Sequence, residues 1–201
     1  MKHLIIGVAI IAATLTACNN GNDKTSATMT SDTSVATPTL AAQDTAAKNS
    51  GATVAATFSA TEIIAGYLQL KNALAKDNGQ DAATAGNTFV ATLAKVDMKS
   101  LPDAQMKSYM DIADDMKEHT EHIGANAAKI EHQREHFIML SKDMADLIKT
   151  FGNGGQTLYK DFCPMANDGK GATWISEIKE IKNPYLGSKM PNCGSVKETI
   201  Q

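Results

Sequence analysis

From Phe58 onward, apolar residues recur at the spacing of amphipathic helices. Ile63, Ile64, Tyr67, Leu68, Leu70 and Leu74 form the first run. Ser59 or Thr61 stands where a cap belongs, Glu62 lies in the first turn, and Asp77-Asn78-Gly79 ends the run. A second helix is predicted over Asp81 to Val96, with Ala85, Phe89, Leu93 and Val96 on one face. Ser100-Leu101-Pro102-Asp103 reads as the start of a third, with proline near the first turn. It runs to about Asn126 with Tyr109, Ile112, Met116, His119 and Ile123 in one stripe. The fourth begins near Ala128 and carries Ile130, Phe137, Leu140, Met144, Leu147, Ile148 and Phe151 before Gly152-Asn153-Gly154-Gly155 stops it.

Four helices with short connections predict a mainly α fold, an antiparallel four-helix bundle over residues 58–151. Residues 152–201 are dense in Gly, Pro and Asn. They are expected to form an irregular, partly β segment packed on the bundle. Short strands are expected at Thr173 to Ser176 and Val196 to Ile200. Gln156 to Phe162 reads as either a short helix or an extended stretch. A long irregular segment of this kind is usually functional or cross-linked.

The first 57 residues follow no such period. Residues 1–17 read as a secretory signal, with an apolar run from Leu4 to Ala13 too short to span a bilayer comfortably. Leu15-Thr16-Ala17-Cys18 resembles the lipobox of bacterial lipoproteins, which makes Cys18 the expected lipidation site. Several acyl chains are needed for stable anchoring, and a lipoprotein cysteine supplies them. The rest of residues 18–57 is rich in Thr, Ala and Ser and reads as a flexible tether. Its coil span is about 35 Å.

Composition narrows the function classes. The formal net charge is −3 and the basic residues are scattered, so nothing favours a nucleic-acid partner. Aromatics are only 5%, which fits helices better than a β-sandwich. No Gly-x-Ser-x-Gly elbow, phosphate loop or His-Glu-x-x-His helix is present, so the chain is read as non-enzymatic.

The chemistry gathers near the C-terminus. Cys163-Pro164-Met165 and Met190-Pro191-Asn192-Cys193 bracket the single tryptophan, Trp174. Thiolate with thioether is a soft ligand set suited to Cu(I) or Ag(I). Zinc, with two cysteines and two histidines, is the less favoured alternative because it leaves the methionines idle. The bland reading is a disulfide, expected outside the cytoplasm. Closing this loop stabilises by about 3.6 kcal/mol in the chain-entropy model. Both readings stay open at this point.

The helices offer imidazoles as further ligands. His122 ranks first and His136 second, with His132 and His119 well behind. His119 reads as a packed core residue, and His132 with His136 as a solvated pair of chelating spacing. Trp174, Tyr185, Asn183 and Ser141 read as structural, the indole N–H being expected to find a partner. Arg134, the only arginine, suggests a forked contact to loop carbonyls that lysine could not make.

Ile130-Glu131-His132-Gln133-Arg134-Glu135-His136-Phe137, Cys163-Pro164-Met165-Ala166, Gly171-Ala172-Thr173-Trp174 and Asn183-Pro184-Tyr185 together resemble a bacterial domain family of unknown function. That family occurs as secreted or lipid-anchored proteins. It also forms the C-terminal part of periplasmic adaptors of copper/silver-type heavy-metal efflux pumps. The resemblance implies a cell-envelope location, periplasmic or outer-membrane associated, and an efflux pump or adaptor as partner. It points to His122, Cys163, Met165, Met190 and Cys193 as the positions of interest.

Overall fold

A computed structural model describes residues 60–201; the expected signal, Cys18 and the tether lie outside them. Four helices come first: α1 (Thr61–Ala75), α2 (Gly79–Leu93), α3 (Asp103–Ala125) and α4 (Ile130–Phe151). They follow the apolar period closely. The buried residues Ile63, Ile64, Tyr67, Leu70 and Leu74 of α1, and Phe137, Leu140, Met144, Leu147 and Ile148 of α4, are the expected stripes.

The helix ends carry small corrections. Ala60 is the N-cap of α1 and makes no side-chain cap bond, while the Thr61 hydroxyl donates to Gly154 O at 3.3 Å. Helix α2 starts earlier than expected because the Asn78 side chain accepts from the Asp81 N–H at 3.0 Å. That bond satisfies one of the orphan amides of the first turn. Pro102 precedes α3, where its missing N–H costs nothing.

The last third is more regular than its composition suggests. Strands β1 (Leu158–Cys163), β2 (Ala172–Ser176) and β3 (Ser195–Ile200) form an antiparallel sheet in the order β2-β1-β3. The stretch read as helix or extended is therefore the central strand. Asp161 pairs with Trp174 and Cys163 with Ala172, so these four share a face. All four are buried, and β2 lies against α4.

The seam between helices and sheet is aromatic and polar. Tyr67 stacks on Phe137 with ring centroids 5.0 Å apart. The Tyr67 hydroxyl bonds Ser141 Oγ at 2.8 Å and accepts the Ile175 N–H at 3.1 Å. The Tyr185 hydroxyl reaches the same Ser141 Oγ at 3.1 Å and donates to Thr173 O at 2.5 Å. The Asn183 side chain accepts the N–H groups of Tyr185 and Leu186. These residues tie the loop to the bundle, as their structural reading expects. Trp174 departs from it: the indole is fully buried, yet Nε1 meets no hydrogen-bond partner among the described residues.

Arg134 makes a forked contact, but to one carbonyl of the C-terminal segment and one at the end of α1 rather than to loop carbonyls alone. Its Nε donates to Pro184 O at 2.9 Å and one terminal nitrogen to Leu74 O at 3.1 Å, and the same nitrogen pairs with Asp77. Asp77 in turn accepts the Ser188 N–H at 2.9 Å, and these bonds from Ser188 and Arg134 hold its carboxyl near pKa 2. Gly187 sits beside this cluster at φ +51°, where a Cβ would strike Asp77 and Arg134.

Candidate metal centre

Helices α3 and α4 are joined by residues 126–129 and pack against each other. Four histidines fall in that contact. His119 and His122 come from α3, and His132 and His136 from α4.

One ligand nitrogen from each of His122, His132 and His136 lies within 4.8 Å of the others. The His122 and His136 rings stack with centroids 4.3 Å apart, and His132 meets His136 edge-on at 4.7 Å. His122 is exposed and the other two are half-buried, so the cluster opens to solvent on the α3 side. Three imidazoles converging from two rigid helices are a donor set for a borderline transition ion.

Neighbouring groups hold the rings. His132 Nδ1 is 3.1 Å from Glu135 Oε2. His136 Nδ1 is 3.4 Å from His119 Nδ1. On the far side of His119, Nε2 is 3.9 Å from Asp143 Oδ2. Burial lowers the pKa of His119, against the pull of Glu118 and Asp115. Burial also lowers that of His136, and the surrounding His122, His132 and His119 push it further down. Both rings therefore favour the neutral form, the one that can bind a metal. Burial, with Asp115 and Asp146 nearby, raises Asp143 to about 6.

The sulfur-bearing residues are elsewhere. Cys163 ends β1 and Cys193 precedes β3, and the two are joined in a disulfide with Cα atoms 5.6 Å apart. In this bonded state neither sulfur is a thiolate. Met165, in the turn after β1, and Met190, after the 3₁₀ turn Gly187–Lys189, are both exposed. Neither cysteine belongs to the histidine cluster. The structure thus brings together His122, His136 and the low-ranked His132. His119, expected as a packed, hydrogen-bonded residue of the α3 stripe, keeps 17% side-chain exposure and contacts His136 through Nδ1.

The signal for His132 was present in the sequence. His122 and His132 stand at similar distances on either side of the short α3–α4 connection, where a helical hairpin brings such positions face to face.

No helix among the described residues is long and apolar enough to cross a membrane. Neither the curated proteins nor the solved structures include a match to this chain. Residues 63–156, which hold all four histidines but end before Cys163, match a family model described as "Protein of unknown function (DUF3347)". The helical part of this chain is thus similar to an uncharacterised domain family.

Proposed function

We propose that this protein is a lipid-anchored envelope protein that binds a transition-metal ion for efflux, transfer or sequestration. The observation that carries the reading is the three-imidazole cluster of His122, His132 and His136. Copper fits the donors best. Imidazole accepts it in the oxidised protein, and the sulfurs of Cys163, Cys193, Met165 and Met190 suit Cu(I) once the disulfide is reduced. Silver would depend on those sulfurs alone, and zinc would need only the imidazoles. The open side at His122 suits an ion that is handed on. Anchoring through Cys18 would keep the helices, read as an antiparallel bundle from their short connections, near the membrane. An efflux pump or adaptor is the partner this reading calls for.

Cu(II) titration of the oxidised protein tests the site. A His122→Ala, His132→Ala, His136→Ala triple variant should lose more than 100-fold in affinity, while Cys163→Ser, Cys193→Ser should keep it. Cu(I) titration of reduced protein then reads the sulfurs. Equal Cu(II) affinity in the triple variant rejects the imidazole site.

The bonded cysteines and exposed methionines favour a second reading. In it the chain is a structural or interaction lipoprotein whose Cys163–Cys193 disulfide pins the C-terminal segment. Absence of metal binding in both titrations would leave that reading standing.

A further inference from the structure

A histidine binds a metal only through a nitrogen that carries no proton, and the partner of its other nitrogen decides which one that is. His136 and His119 face each other through their Nδ1 atoms at 3.4 Å, and only one proton can lie between them. If His119 supplied it, the neutral His136 ring would carry its own proton on Nε2. Nε2 is the nitrogen left for an ion, and it would be blocked.

Asp143 breaks the tie. Its Oδ2 lies 3.9 Å from His119 Nε2, is buried, and accepts no hydrogen bond from any described residue. At that distance the pair is longer than a hydrogen bond, but the negative oxygen still favours a proton on the facing nitrogen. With its proton on Nε2, His119 has a bare Nδ1, which then accepts from His136 Nδ1–H. We infer that Asp143 and His119 are positioning residues that hold His136 in the Nδ1–H tautomer and so present its Nε2 to an ion. His132 is prepared in the same way by Glu135 Oε2 at its Nδ1. Two ligand rings thus each have a carboxylate on their Nδ1 side, Glu135 at 3.1 Å from His132 and Asp143 behind His119 at 3.9 Å. The metal consequence rests on the three-imidazole reading above; the tautomer does not.

Two measurements on the full chain test this. Long-range ¹H–¹⁵N NMR of metal-free protein near pH 7.5 should show a bare Nε2 on His136. Asp143→Leu should move the ring toward the Nε2–H form and weaken Cu(II) binding about 10- to 100-fold. The same variant should keep or raise the melting temperature, because it removes a buried, unpartnered oxygen. A purely structural role for Asp143 predicts the opposite: a lower melting temperature with affinity and tautomer unchanged. His119→Phe should act in the same direction as Asp143→Leu. A proton on Nε2 of His136 in the wild type, or an unchanged tautomer in Asp143→Leu, overturns the inference. If the tautomer behaves as expected but the wild type binds no Cu(II), the positioning pair stands and the metal reading falls.

Discussion

His122 and His136 stack face to face across the α3–α4 junction, their ring planes only 6° from parallel. Neither helix alone places these rings together; the packing of α3 against α4 does. A bound ion should therefore tie the two helices together. Cu(II) at 100 times its Kd should stabilise the wild type by about 2.7 kcal/mol, and a chelator should remove the gain. Thermal melts with and without metal check this, with the His122→Ala variant losing most of the shift.

The same cluster sets a pH dependence in the metal-free protein. His119 and His136 have folded pKa values below the unfolded 6.5. Their contribution is complete above that value and declines as pH falls through the lowered values, because the unfolded chain takes up protons more readily. His136→Phe should flatten the decline that sets in below about pH 6.5. Urea unfolding at a series of pH values would show it.

Asp161 behaves in the opposite sense. Both of its oxygens are buried without a hydrogen-bond partner among the described residues. Burial raises its pKa to about 6, with Lys71 opposing. Its contribution is complete below the unfolded 3.8 and is lost as pH rises through about 6. Asp161→Asn should therefore stabilise the protein at pH 7 by about 1–3 kcal/mol, with the difference vanishing near pH 4.

Arg134→Lys should cost about 2–3 kcal/mol. A lysine cannot serve Pro184 O, Leu74 O and Asp77 together, and at least one buried carbonyl would lose its donor. Denaturant melts should show a lower midpoint with an unchanged slope.

Reduction of the Cys163–Cys193 bond, or its replacement by serines, should cost about 3.6 kcal/mol if chain entropy dominates. The link ties the end of the central strand to the residue that leads into β3, so the sheet edge should open first. Faster amide exchange in β3, with α1 to α4 unchanged, is the expected pattern.

The helices could be read from the chain because burial repeats with the local geometry. Tyr67, Leu70 and Leu74, or Phe137, Leu140 and Met144, lie a turn apart and face one way whatever else the chain does. Strand β1 was not legible in the same way. Lys160 and Asp161 interrupt its apolar character, and its pairing with β2 and β3 comes from residues distant in sequence. The forked role of Arg134 was legible from its being the sole arginine, but its partners Leu74, Asp77 and Pro184 were not.

The candidate site divides along the same line. His122 and His136 stand out by residue type and helix position, and Cys163 and Cys193 by their isolation in the C-terminal segment. Which of these groups meet was decided by the packing of α3 on α4 and by the closure of the sheet. Local periodicity orders residues within one element, where neighbours are fixed by backbone geometry. The convergence of His122, His132 and His136, and the bond between the two cysteines, depend on how separate elements are laid against each other, and only the folded chain sets that.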